Sequence, residues 1–150
     1  MKLQKATFFA LFAVLELAAD PTRQLAAADI AEKYGISLHH LAKVLRDLGR
    51  AGIVESARGV GGGYRLAGNP KRLTLFDVIA LFEPLEEGRK KGLDKTEVEQ
   101  ALRLVLDEID EHALATFRSI SLSTMLKIVG GRRSLAASGG KSAHTRAAGG

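Results

Sequence analysis

Leucines recur at spacings of three and four as Leu38, Leu41, Leu45 and Leu48. Such a stripe predicts an amphipathic helix. Ser37 stands where an N-cap hydroxyl would accept from a first-turn N–H, and Gly52 where a left-handed cap would close the last turn. The other face carries His39, His40, Lys43, Arg46 and Arg50, with Asp47 its one acid. Ile53–Ala57 and Gly63–Leu66 then read as two short strands about a turn at Arg58–Gly62. A basic helix running directly into a glycine-rich basic hairpin has the form of a major-groove helix with a wing for the backbone or minor groove. The glycine run lacks the Lys-Ser/Thr ending of a phosphate loop and precedes a strand, so nucleotide binding is set aside.

Upstream, residues 6–19 are apolar almost all round. A secretory signal peptide would have this profile. Glu16 within the apolar run speaks against it, and the run is too short to span a bilayer. A helix apolar on every side must be covered on every side. Its own domain can cover one face and a second subunit the other, with Phe9 at that contact. Pro21 ends it, Leu25-Ala26 reads as a short strand, and Ala28, Ile30, Ala31 and Tyr34 mark a second helix ending at Gly35. The turn into Ser37 gives a helix-turn-helix; the second helix lacks a good N-cap.

Downstream, Asn69-Pro70 signals a turn. Thr74 with Asp77 can cap a helix over Leu75–Phe82, which Pro84 stops. Residues 85–94 form a charged, glycine-containing loop. Thr96 with Glu99 opens the longest helical run, in which Val98, Leu102, Val105 and Ile109 recur near the heptad spacing. A stripe this long on a small domain needs something to cover it, either a second subunit or the chain's own core. A short helix from Ser121 or Ser123 through Val129 follows. From Gly130 onward Gly, Ser, Ala, Arg and Lys alternate without periodicity, which predicts a disordered basic tail.

With 150 residues, the chain is one domain with appendages. Its net charge of +5 is unevenly spread. Residues 1–70 hold nine Lys/Arg against six Asp/Glu, and the last twenty residues hold four basic side chains and no acid. The excess thus falls on the proposed DNA-binding part and the tail, as phosphate contact requires. The chain has no cysteine, which removes disulfides, thiolate zinc sites, cysteine nucleophiles and ordinary iron–sulfur ligation. Neither a nucleophile–base pair nor a metal motif can be assembled from its histidines and carboxylates. His39 and His40 are adjacent and so face apart on a helix; His112 reads as packed or hydrogen-bonded. No enzyme, no metal and no cofactor are expected.

Met1-Lys-Leu3, Asp29-Ile-Ala-Glu32, Gly35-Ile-Ser37, Leu45-Arg-Asp-Leu48, Ala51-Gly-Ile-Val54, Arg58-Gly-Val-Gly-Gly-Gly-Tyr-Arg-Leu66 and Thr74-Leu-Phe-Asp-Val78 together make a recognisable pattern. The chain resembles the Rrf-two-type winged-helix transcriptional regulators of bacteria, typified by IscR, NsrR and CymR. The likeness covers roughly residues 1–130, with the arginine-glycine wing its most specific part. The resemblance implies a mainly α (α+β) fold: a winged helix-turn-helix domain with a two-stranded wing and a long C-terminal dimerisation helix.

The expected division is 1–84 for DNA binding, 85–94 for the loop, 95–129 for dimerisation and 130–150 for the tail. The expected function is that of a cytoplasmic, homodimeric, sequence-specific regulator, more specifically a repressor, reading a roughly palindromic double-stranded operator. Ser37, His39, His40 and Lys43 would reach base edges or nearby phosphates. Arg46 and Arg50 would take phosphates or domain ion pairs, and Arg58, Gly61, Gly62 and Tyr64 form the wing. Tyr64 can equally pack the hairpin. Phe9, Val98, Leu102, Val105 and Ile109 would form the dimer contact. In cluster-binding relatives three cysteines lie near the 85–94 loop; this chain has none, so cluster sensing is not carried over. A small molecule or partner protein would act instead, near the junction of the Leu75–Phe82 helix, that loop and the long helix. The alternative is a winged-helix module for protein–protein contact, which the same fold serves.

Overall fold

The computed structural model describes residues 2–58, 62–85 and 96–142. Six helices and one hairpin follow in the order α1 (Lys5–Ala19), α2 (Ala27–Tyr34), α3 (Leu38–Arg50), β1 (Val54–Ala57), β2 (Gly63–Leu66), α4 (Leu75–Phe82), α5 (Glu97–Ser119) and α6 (Leu122–Ser142). The mostly helical fold with one antiparallel two-stranded sheet is that of a winged helix.

The apolar first helix is the centre of the domain. It packs against α2, α3, α4, α6 and β2, and Ala10, Ala13, Val14 and Leu17 are fully buried. Small residues at 10 and 13 let its neighbours approach, so one helix can serve several partners. Phe9 is partly buried against this core, whereas Phe8 remains 44% exposed. Glu16, the one acid of the helix, lies beside α2 and bonds Lys33 and Tyr34. That contact explains how a charge is accommodated in so apolar a run.

The turns on either side of α3 both close as glycine chemistry demands. Gly35 (φ 62°) and Gly52 (φ 75°) are left-handed. Ile36 N donates to Ala31 O and Ile53 N to Leu48 O, the six-to-one bond of a Schellman closure. The helix stripe differs from the leucine pattern in one place. Leu41, Val44, Leu45 and Leu48 are buried, while Leu38 is 50% exposed. Val44 belongs to the buried face because 3.6 residues per turn set it beside Leu41 and Leu48, whereas Leu38 in the first turn lies beyond the core's edge.

The hairpin pairs Val54 with Leu66 and Ala57 with Gly63. Leu25 joins it: its N–H donates to Tyr64 O at 2.9 Å and its carbonyl accepts from Tyr64 N at 2.8 Å. The wing is therefore tied to the segment ahead of α2. A Cβ on Gly63 would lie 2.5 Å from the Leu25 carbonyl oxygen, so glycine is required there for close backbone approach.

Capping boxes open both later helices, through Thr74 with Asp77 and Thr96 with Glu99. α4 is bound to the start of α1 through Glu83, whose carboxylate accepts from Gln4 N and the Thr7 hydroxyl. α5 packs on α4, where the Arg118 guanidinium lies 4.2 Å from the Phe76 ring centroid. α6 starts at Ser121, whose hydroxyl accepts from Thr124 N, and returns to α1.

The tail departs from expectation. Rather than stopping at Val129 and giving way to disorder, α6 continues to Ser142. Its alanines, arginines and leucine propagate a helix already anchored by the buried Leu122. Residues 130–139 are all exposed, so no buried face imposes an amphipathic periodicity on the extension. The remainder of the tail lies outside the described residues.

Candidate nucleic-acid interface

The candidate surface is built on α3 and the hairpin. Burial of Leu41, Val44, Leu45 and Leu48 fixes the rotation of α3 and turns its other side outward. The Ser37 hydroxyl accepts from His40 N at 3.5 Å, a long cap bond. Ser37, His39, His40, Lys43, Arg46 and Arg50 are all exposed. The structure thus brings these six sequence-identified residues onto one accessible stretch.

Their engagement differs. Arg50 Nη1 lies 3.7 Å from Asp47 Oδ1, a loose ion pair one turn apart on the surface. Such exposed pairs contribute roughly 0–1 kcal/mol, so Arg50 gives up little by releasing Asp47. Lys43 and Arg46 form no ion pair among the described residues. The two histidine rings lie 6.1 Å apart and tilted, directed differently around the helix.

The wing divides in the same way. Arg58 and Gly62 are exposed, and Arg58 forms no ion pair among the described residues. Gly61 lies outside the described residues. Tyr64 is partly buried against the core, with its backbone bridged to Leu25. Of its two sequence readings, this position matches the packing one. Arg65 is bonded across the hairpin to Glu55, leaving Arg58 as the open cation of the wing.

Leu38 was not singled out from sequence as a contact residue because its spacing assigned it to the core. Exposed in the first turn of α3 beside Ser37 and His39, it offers an apolar surface of the kind that meets a thymine methyl group. Its position just after the cap was the available signal, since first-turn residues project past a small domain's core.

The α5 residues are also exposed: Val98 (69%), Leu102 (59%), Val105 (58%) and Ile109 (57%). Leu104 and Leu106, absent from the sequence-derived stripe, are exposed as well. Only Leu114, farther along, is buried. Packing among the described residues therefore does not cover the stripe. Phe9 sits on α1, partly covered by its own domain. His112 bonds Glu108 one turn away at 2.9 Å and is solvent-facing. Of the junction expected to receive an effector, α4 and α5 are described, whereas residues 86–95 of its loop side lie outside the described residues. No helix among the described residues is long and apolar enough to cross a membrane.

Comparison with known proteins matches this arrangement to the family model Rrf2, described as an iron-dependent transcriptional regulator, over residues 3–128. The donors for a thiolate-held iron centre do not fit here: the chain has no cysteine. Among the described residues, no group of three or more His, Asp or Glu could hold a metal ion.

The chain is 57% identical over 130 residues to BadM of Rhodopseudomonas palustris, described as an HTH-type transcriptional regulator. The match covers 86% of this chain and 83% of BadM. CymR, the global cysteine regulator of B. subtilis, has a similar structure at 26% identity and TM-score 0.75, covering 85% of this chain and 98% of its own. IscR of T. potens matches at 28% identity and TM-score 0.67, covering 86% and 88%. These relatives are transcriptional regulators rather than enzymes. Basic helix, wing and uncovered α5 thus occur in a chain that belongs to the Rrf2 family of transcriptional regulators.

Proposed function

We propose that this protein is a cytoplasmic, homodimeric, sequence-specific DNA-binding repressor that works without an iron–sulfur cluster. The observation that carries the reading is the set of open cations, Lys43 and Arg46 on α3 and Arg58 in the wing, exposed and without ion-pair partners among the described residues. Positive charge held away from carboxylates is available for phosphates, and each phosphate neutralised releases counterions. The N-terminal part of α3 and its cap, with Ser37, Leu38, His39, His40 and Lys43, enter the major groove, while Arg58 takes the backbone or minor groove beside it. Arg46 and Arg50, farther along, hold phosphates, and Gly62 lets the wing approach closely.

Two copies join through α5. The Val98, Leu102, Val105 and Ile109 stripe meets its twin and the Phe9 side of the partner's first helix, which removes an exposed apolar surface from water. A two-fold dimer presents two recognition helices and so reads a roughly palindromic operator. Without cysteine, its signal is a small molecule or a partner protein rather than a thiolate-held cluster.

Recovery of genomic DNA fragments on the purified protein tests the reading, with an absorbance spectrum taken on the same preparation. The expected result is a shared palindromic motif, binding that weakens steeply with salt, and a colourless protein. Salt-independent or absent DNA binding would favour a protein–protein module instead. Visible absorbance with stoichiometric iron would refute the cluster-free part.

A further inference from the structure

A cleft of about 590 Å³ opens between α1, the end of α2 and α6. Phe12, Leu15, Leu126 and Val129 supply apolar walls, and Glu16, Lys33 and Arg133 the charges. None of these belongs to the recognition helix, the wing or the α5 stripe. One wall is firmly set, because Phe12 stacks on Tyr34 with ring centroids 4.7 Å apart.

The charged side already binds a carboxylate. Glu16 Oε1 accepts from Lys33 Nζ at 2.6 Å and from the Tyr34 hydroxyl. Arg133 acts on the same carboxylate through space, without a hydrogen bond to a described residue. Two cations therefore face one anion, leaving one positive charge in surplus above apolar walls. The volume lies within the range of about 300–1,000 Å³ typical of small-molecule sites.

We propose that this cleft is an effector site for an amphipathic organic anion, its apolar body lying on Phe12, Leu15, Leu126 and Val129 and its carboxylate held by Arg133. Charge complementarity selects the occupant. A cationic ligand would face Lys33 and Arg133, and a neutral one would leave Arg133 without a counter-charge. The site also has a short route to the DNA-binding surface. Lys33 and Tyr34 end α2, Gly35 makes the turn, and Ser37 caps α3. A ligand joining α6 to the end of α2 acts on the position of α3 through that turn. This regulatory consequence rests on the DNA-binding reading above, whereas ligand capture does not. By linkage, the ligand shifts DNA affinity by the factor by which DNA shifts ligand affinity.

Calorimetric titration of the full chain with decanoate tests the site, with decanamide and decylammonium as neutral and cationic controls. Saturable decanoate binding at one molecule per chain is expected, about tenfold or more tighter than decanamide, with none for decylammonium. Arg133→Ala, at an exposed helix position, should weaken decanoate by about tenfold or more and keep the circular dichroism unchanged, whereas Arg132→Ala should bind as wild type does. Decanoate should also change affinity for a recovered genomic fragment in wild type but not in Arg133→Ala. Absent decanoate binding, or equal binding by wild type and Arg133→Ala, would overturn the site. Binding with no change in DNA affinity would overturn the effector role. A chain that binds no DNA even without decanoate would overturn the regulator reading, and the calorimetric result would still decide the site.

Discussion

The hydroxyl of Thr7 donates to the carboxylate of Glu83, joining the first turn of α1 to the residue that ends α4. Thr7 is the one polar side chain buried among the described residues. Gln4 N donates to the same carboxylate at 2.7 Å, so Glu83 also serves the otherwise unpaired start of α1. Thr7→Val keeps the shape and removes the donor. It should cost about 1.5–3 kcal/mol, the range for a hydrogen bond to a charged group. Urea unfolding at constant m-value measures this; an unchanged midpoint would mean the bond contributes nothing.

Gly63 and Leu25 give a second expectation. An added Cβ would sit 2.5 Å from backbone, not from a side chain that could swing away. Gly63→Ala should therefore break the Leu25–Tyr64 bridge and displace the wing. DNA affinity should fall while helical circular dichroism persists, because the hairpin contributes little helix signal. Wild-type affinity in this variant would show that the wing's placement is not needed for binding.

Arg58→Ala should weaken binding to a recovered genomic fragment by about 1–3 kcal/mol if the arginine meets a base edge. Lys43→Ala should either relax sequence discrimination or reduce the salt slope by about one, depending on whether it meets a base or a phosphate. Titrations at several salt concentrations separate these outcomes. Wild-type binding by both variants would remove α3 and the wing from the interface.

The α5 stripe makes assembly testable. Leu102→Asp or Val105→Asp would bury an unpaired carboxylate in the proposed contact, at a cost of several kcal/mol. Sedimentation at micromolar concentration should show a wild-type dimer and monomeric variants. A monomeric wild type would contradict the assembly.

The Glu16–Tyr34 contact makes stability depend on pH at both ends. Burial of the Tyr34 ring edge and its bond to Glu16 push its phenol up to about 12. Burial works against the Glu16 carboxylate, but bonds from Lys33 and Tyr34 outweigh it and hold its pKa below the usual value. The Glu16 contribution is present above the unfolded carboxylate pKa and fades as pH falls through the lower folded value. The Tyr34 contribution is present below about 10 and fades as pH rises toward about 12, because only the unfolded phenol ionises freely there. Chemical denaturation across pH should show the alkaline loss in wild type and a smaller one in Tyr34→Phe. Identical alkaline profiles would contradict the shift.

Local chemistry was legible in the sequence. The capping boxes at Thr74 and Thr96, the left-handed glycines at 35 and 52, and the outward basic face of α3 all depend on residues a few positions apart. A short-range hydrogen bond or a helical period fixes each of them, so neighbouring letters suffice. Recognition of the family needed no more than the wing and its flanking words.

Tertiary structure decided whatever depends on where a core ends. Leu38 continues a leucine pattern yet faces solvent, and Val44 is buried, because the neighbouring elements set the edge of the core. The need for glycine at 63 comes from Leu25, distant in sequence and adjacent only through the bridge. The α6 extension beyond Val129 is helical without an amphipathic stripe, since an anchored first turn removes the nucleation cost and periodicity reports packing rather than helicity. Glu16, conspicuous within an apolar run, found its reason only when the fold set Lys33, Tyr34 and Arg133 around it. Contacts between segments far apart in the chain have no fixed spacing to betray them.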